Sequence, residues 1–256
     1  MQDRYSGDVG DFGKFHLLRF LLNNQEYNLS QIWYMYPDET HNNDGLYINY
    51  FEKVKKFDYE LEEKLLEITQ TNRCVKALEE SKLVKNTKYF SLYVNENAKD
   101  DLVYRKAWFQ KALKFSENSD FIAVDPDNGV ATKLIKKDET KDIKIQSFED
   151  FKTKSKAGKY IFDEEIKHLY KNCKCLIIYH HLNRTMSHDK QIEILKSKFE
   201  KEYKKVFAIK HKPYSPRVFF FLCSCDEVAS FLEKRLKEFE NSFSIHWKLF
   251  DTIKVL

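Results

Sequence analysis

Glycine and proline are scarce: this chain of 256 residues holds six of one and four of the other. That excludes collagen-like, low-complexity and linker-rich architectures, and it makes each position where the two residues do occur informative. Long apolar runs are missing as well, and the acidic, glycine-containing start of the chain lacks a secretory-signal pattern. A cytoplasmic protein with no membrane partner is therefore expected. Neither sign of charge is in excess. Lys and Arg number 44 against 40 Asp and Glu, and a net charge of +4 does not by itself mark a nucleic-acid binder. Cysteines number five, an odd count in a Lys/Glu-rich chain, which argues against a secreted disulfide framework. Four of them form two pairs, Cys173 with Cys175 and Cys223 with Cys225, for which core packing is expected ahead of a zinc site.

What is abundant is apolar and aromatic: 42% hydrophobic and 15% aromatic residues, enough to build a sizeable core. Their spacing alternates between two periods. Helical spacing is read over residues 14–23, 45–56, 58–70, 72–83, 97–118, 147–154, 160–171, 188–204 and 225–241. Strand-like runs fall at 31–37, 88–94, 120–125, 175–182, 205–211, 217–223 and 243–250, with KPYSP marking a hairpin between two of the last three. Strands alternating with helices predict a Rossmann-like, mainly parallel sheet covered by helices on both faces, with an antiparallel C-terminal hairpin. No repeat or linker divides the chain, so one domain over 1–256 is expected, with a charged, mobile insertion near 133–146.

Ligands of such sheets sit beyond the carboxyl ends of the strands. Three strand ends carry polar clusters: Asp38 and Glu39; Asp125, Pro126, Asp127, Asn128 and Gly129; and His180, His181 and Arg184. Asn-Gly is a turn signal in its own right, but a turn does not need two carboxylates at a strand tip. Two acids and an amide also suit Mg²⁺ or Mn²⁺, with Asp38, Asp125, Asp127 and Asp163 as the alternative ligand set. A histidine pair on a strand points to opposite faces, so one of His180 and His181 is expected to face the site as acid/base or substrate contact. Arg184 is a candidate phosphate contact. Asp163 lies in a first helical turn, where an acid is favoured whether or not it binds anything. Trp33, Tyr34, Tyr36 and the phenylalanines of 217–221 read as core. The basic hairpin 204–217, with Tyr214, is either a phosphate-backbone contact or a solvated turn.

The N-terminal GDVGDFGKF, residues 7–15, collects three of the six glycines just before an apolar helix. It resembles the entry motif of the bacterial ribosomal-RNA adenine-N6 methyltransferases of the J type, Gly-Asn-x-Ala-Asp-Val-x-Lys-His, matching at Gly7, Asp11 and Lys14 and differing at Asp8, Gly10, Phe12 and Phe15. ETHNNDGLY, residues 39–47, matches that family's cofactor loop at Thr40, His41, Gly45 and Tyr47, while Asn43 and Asp44 depart from its glycine-rich pattern. DPDN, residues 125–128, stands where the family has Asp-Pro-Pro-Tyr and keeps the acid and the first proline. The resemblance implies a methyltransferase-type fold over about two thirds of the chain and S-adenosylmethionine (SAM) as cofactor. It implies that Lys14 contacts the cofactor's carboxylate. Asp38, Glu39, Thr40, His41, Asn43, Asp44, Gly45 and Asp163 complete the candidate cofactor contacts. Asp125 and the Pro126 carbonyl would orient an acceptor amino group on a flipped base or nucleotide. Asn128 replaces the aromatic ring that would stack on that base, so stacking has to come from elsewhere. A metal-dependent nuclease or phosphodiesterase, and a binding protein that keeps the scaffold without the chemistry, are the alternatives.

Overall fold

The computed structural model describes residues 1–39, 45–50, 57–94, 102–137, 140–152 and 154–250. Its first helix, α1 (Val9–Leu22), begins where Asp8 caps it. The Asp8 carboxylate accepts the N–H groups of Gly10 and Asp11 at 2.6 and 3.1 Å, satisfying two of the donors that a helix start leaves open. α1 therefore starts ahead of the apolar run that signals it. Phe12, Phe15, Leu17, Leu18, Leu21 and Leu22 are all buried, so the helix is covered on most sides, as expected of one lodged between a sheet and other helices.

The strands are β1 (Leu29–Trp33), β2 (Thr87–Phe90), β3 (Phe121–Asp125), β4 (Gly129–Val130), β5 (Thr132–Lys137), β6 (Thr140–Ile145), β7 (Tyr160–Ile161), β8 (Cys175–His181), β9 (Lys205–His211), β10 (Arg217–Cys223) and β11 (Trp247–Phe250). The remaining helices are α2 (Tyr59–Thr71), α3 (Val75–Glu80), α4 (Leu102–Phe115), α5 (Asp163–Lys171), α6 (His188–Glu200) and α7 (Asp226–Phe243). Seven strands form the central sheet in the order β11-β9-β10-β8-β3-β1-β2. β2, β1, β3 and β8 run parallel, with Leu29 beside Phe121 and Trp33 beside Asp125. β10 is reversed between β8 and β9, pairing Arg217 with His181 on one side and His211 on the other. β11 is antiparallel to β9 at the edge.

Successive strand residues point to opposite faces, and the core divides accordingly. Phe121, Ala123, Ile177, Ile209 and Phe219 pack with α1, α2 and α7; Ile122, Val124, Ile178, Ala208 and Phe220 pack with α4, α5 and α6. The result is a three-layer α/β sandwich in which parallel strands are apolar on both faces. Trp33, Tyr34 and Phe219 to Phe221 are core residues, as their pattern indicates. Cys173, Cys175 and Cys223 pack there too: Cys175 and Cys223 face each other across β8 and β10, Sγ to Sγ 3.8 Å, and all five cysteines are free.

Four stretches differ from the sequence reading. The charged segment after the DPDNG turn is the antiparallel hairpin β5–β6, with Thr132 paired to Ile145. Residues 147–152 hold no helix; Phe148 and Phe151 join Phe162 in a small separate cluster, and a 3-10 helix follows at Lys154–Lys159. Of the helices expected over 45–56 and 72–83, residues 45–50 form turns, 51–56 lie outside the described residues, and only α3 is helical in the second. No helix among the described residues is long and apolar enough to cross a membrane.

The chain leaves β1 toward β2 on one side and then crosses back to β3 on the other. Connections that diverge from neighbouring strands leave a crevice at their carboxyl ends, where ligands of open α/β sheets bind. Asp125 ends β3 at that point.

A candidate active site at the carboxyl edge of the sheet

DPDNG is a tight turn built against β8. Gly129 N–H donates to Pro126 O at 3.0 Å, and Asn128 N–H donates to Lys159 O at 2.9 Å. Gly129 has φ +86, and a Cβ there would lie 2.5 Å from His180 Cα and Nδ1, so both backbone conformation and space demand glycine. The next N–H, of Val130, donates to His180 Nδ1 at 3.0 Å. β4 then pairs with β7, which fixes the exit of the turn.

This turn presents Asp125 to Lys14, whose ammonium donates to Asp125 Oδ2 and Asp11 Oδ1, both at 2.7 Å, and lies 4.4 Å from the Trp33 ring centroid. All three charged side chains are buried. Burial opposes the lysine's charge, but Asp11 and Asp125 outweigh it and hold the Lys14 pKa above the ordinary lysine range. Asp11 also accepts Gly7 N–H at 2.9 Å, tying the positive-φ turn before α1 to the same cluster. Burial above all, against the pull of Lys14, pushes the Asp11 carboxyl up to about 6.

A second polar cluster surrounds Asp127. Its carboxylate pairs with the amino group of Met1, accepts from Gln2 Nε2 at 2.7 Å and lies 3.8 Å from Lys159 Nζ. Lys159 pairs with Glu39, and Glu39 N–H donates to Gln2 Oε1 at 2.9 Å. The ends of β1 and β3 are thus joined by side chains from the start of the chain.

Together these groups form one wall of a cleft of about 930 Å³. The opposite wall comes from β8, β10 and their loops: Tyr179, His181, Arg184, Tyr214, Ser215 and Arg217. At the mouth, the Tyr47 and Tyr214 rings lie 5.2 Å apart, and both are substantially exposed. Burial pushes the Tyr179 hydroxyl up to about 12, so it is a neutral hydrogen-bonding group at ordinary pH.

Of the candidate residues, Asp125, Asp127, Asn128, His181, Arg184, Glu39, Gly45 and Lys14 line the cleft. Pro126 belongs to the turn behind them. His180 is corrected to a structural role. Its ring is buried against the Gly129 turn, takes the Val130 N–H, and is held neutral with a pKa down to about 3, by burial first and His181 second. Asp38 accepts Arg4 N–H at 3.1 Å and does not line the cleft. Asp163 pairs with Lys167 at 2.6 Å on α5, as an acid in a first turn does without any ligand, and is likewise outside the cleft lining. The metal-ligand alternative Asp38, Asp125, Asp127 and Asp163 is therefore not a constellation, and the described residues contain no group of three or more His, Cys, Asp or Glu placed to hold a metal ion. Lys14 lines the cleft, and two of its three N–H donors go to Asp11 and Asp125, so it positions Asp125. Thr40, His41, Asn43 and Asp44 lie outside the described residues.

The sequence reading missed Gln2, Asp11, Lys159, Tyr179 and Arg217 as site residues. Arg217 carried a signal: a cation opening the run RVFFFLC, whose other positions are apolar and buried.

The fold and the cleft define a Rossmann-like α/β protein with a polar, partly aromatic cavity at the carboxyl edge of its sheet. No family model matches the chain, and no curated protein matches it. Among solved structures, it is similar to a Legionella pneumophila protein described under the family DUF519, with 12% identity and a TM-score of 0.48 over 97% of this chain and 99% of that one.

Proposed function

We propose that the chain is a SAM-dependent methyltransferase-like enzyme acting on an amino group of a nucleobase or nucleotide. One observation carries this reading. Asp125 lines the cleft at the switch point with Oδ2 anchored by Lys14, while Oδ1 has no hydrogen-bond partner among the described residues. A carboxylate with one oxygen fixed and one open can accept an N–H of an amino group and so orient its nitrogen. Pro126 O accepts the Gly129 N–H and Pro126 is not part of the cleft lining, so Asp125 carries the orientation of the nitrogen.

The residues fit the cofactor in size and kind. A cleft of about 930 Å³ lies within the range of ligand cavities, and Glu39 and Gly45, on either side of residues 40–44, line it. Glu39 is the residue for ribose hydroxyls. SAM, when bound, supplies an activated methyl group, so the protein's own contribution is alignment. Tyr47 and Tyr214 supply the stacking surface that Asn128 does not. The hydrolase alternative is weakened by the separate engagement of Asp38, Asp125, Asp127 and Asp163.

The test is methyl transfer from radiolabelled SAM to RNA, DNA and free nucleotides. Transfer to one of these classes, reduced about 100-fold or more in Asp125→Asn, is expected. SAM binding with no transfer to any of the three would leave a non-catalytic binding protein.

A further inference from the structure

Arg217 is a buried cation with no ion pair among the described residues. It is 4% exposed, yet among the described residues only one of its five N–H donors has a partner: Nε donates to Ser215 O at 3.0 Å. Nη1 is buried without a hydrogen bond, and Nη2 has none among the described residues. By contrast, the other buried arginine, Arg105, donates to Glu165 from Nε at 2.7 Å and Nη2 at 3.0 Å and to Tyr160 O at 2.7 Å. A guanidinium left this way costs desolvation that hydrogen bonds among the described residues do not repay, which is what a ligand-binding cation looks like before its ligand arrives.

Its surroundings are arranged to keep it there and to keep it unpaired. Arg217 is registered between His181 on β8 and His211 on β9. His211 is fully buried, both ring nitrogens lack partners among the described residues, and burial first and Arg217 second hold its pKa well below the usual value, so it stays neutral beside the guanidinium. Above the pair run two glycines of α1. A Cβ at Gly10 would overlap Arg217 Nη1, and one at Gly13 would lie 2.8 Å from His211. Both glycines have ordinary helical backbone, so space is what they supply. The nearby acid Asp8 is committed to capping α1 and forms no ion pair with the arginine. Arg217, Ser215, His181 and Tyr179 all line the cleft.

We propose that Arg217 is an anion subsite of this cleft, its planar fork taking a carboxylate or phosphate group, with Tyr179 and Ser215 as neighbouring donors. The subsite stands on the arginine itself. Its assignment to one source, the α-carboxylate of SAM, rests on the methyltransferase reading and would give Arg217 the contact that the resemblance assigns to Lys14, two of whose three donors are already engaged; the other source of the same chemistry is a nucleotide phosphate.

The test is calorimetric titration of the whole chain and of Arg217→Gln with inorganic phosphate, SAM, and 5′-methylthioadenosine, which lacks the carboxylate. Loss of at least about tenfold in affinity for SAM, with 5′-methylthioadenosine unchanged, assigns the carboxylate. Phosphate binding that depends on Arg217 in a protein that binds no SAM would retain the subsite and discard the methyltransferase reading. Unchanged SAM affinity in Arg217→Gln, with no arginine-dependent phosphate binding, would overturn the subsite and leave the methyltransferase reading standing. Should Arg217→Gln fail to fold, the arginine Nε resonance of the wild-type protein replaces it: a shift on adding phosphate or SAM supports the subsite, and none overturns it.

Discussion

Lys14 Nζ stands 2.7 Å from both Asp11 Oδ1 and Asp125 Oδ2, so one buried ammonium is shared between two buried carboxylates that are far apart in sequence. Removing it leaves both acids uncompensated. Lys14→Met is expected to cost about 3–5 kcal/mol of stability in urea unfolding. Adding Asp125→Asn to that variant should restore part of the loss, because it removes one of the stranded charges. Equal stability of Lys14→Met and the wild type would contradict the geometry.

Gly129 predicts a second effect. Gly129→Ala forces a non-glycine residue into φ +86 and a methyl group against His180, so a loss of roughly 3 kcal/mol is expected in the same assay. Because the turn carries Asp125 to Asn128, ligand binding should weaken alongside stability. A silent substitution would mean that the turn is not packed on β8 as described.

Three buried histidines give the protein a pH dependence of defined sign. Burial lowers the pKa of His16 to about 4 and of His180 to about 3, and holds His211 well below its ordinary value. In the unfolded chain each takes up a proton below about pH 6.5. The unfolded state therefore binds more protons between these limits, and stability present above pH 6.5 declines as pH falls. Each histidine contributes about 1.4 kcal/mol per pH unit to that slope. His180→Asn, which can still accept the Val130 N–H, should flatten unfolding free energy against pH by one such share between pH 6 and 4. Superimposable slopes would show that His180 takes up its proton in the native protein over the same pH range as in the unfolded chain.

The architecture was legible where periodicity is strong. The parallel strands, the leucine-rich helix and the KPYSP hairpin follow from apolar spacing and turn residues, and the polar strand ends at Glu39, Asp125 and His181 do converge on one edge. Two things were not legible. Residues 133–144 are dense in lysine and carry few apolar positions, so nothing in their local pattern distinguishes a β-hairpin from a solvated loop. The partners of charged residues were hidden too, because they are set by strand order: Lys14 and Asp125 are far apart in sequence, and Arg217 meets His211 and Gly10 only once β10 lies beside β9 and beneath α1. The glycines of GDVGDFG show the same limit. Gly7 is a positive-φ turn, whereas Gly10 and Gly13 make room for two particular side chains from the far end of the chain.

Tyr47 and Tyr214 allow the acceptor side of the cleft to be tested separately. Substituting either by Ala should weaken binding of a short single-stranded oligonucleotide by about 1–3 kcal/mol while leaving SAM affinity in place. Unchanged oligonucleotide affinity would place the acceptor elsewhere.

The central claim, that this cleft takes SAM, is tested most directly by calorimetric titration of the whole chain with SAM in the presence of a chelator. Saturable binding at one site per chain is expected without any metal. Absence of SAM binding, together with Mg²⁺ or Mn²⁺ binding that disappears in Asp125→Ala, would contradict the account and turn the site over to metal-dependent chemistry.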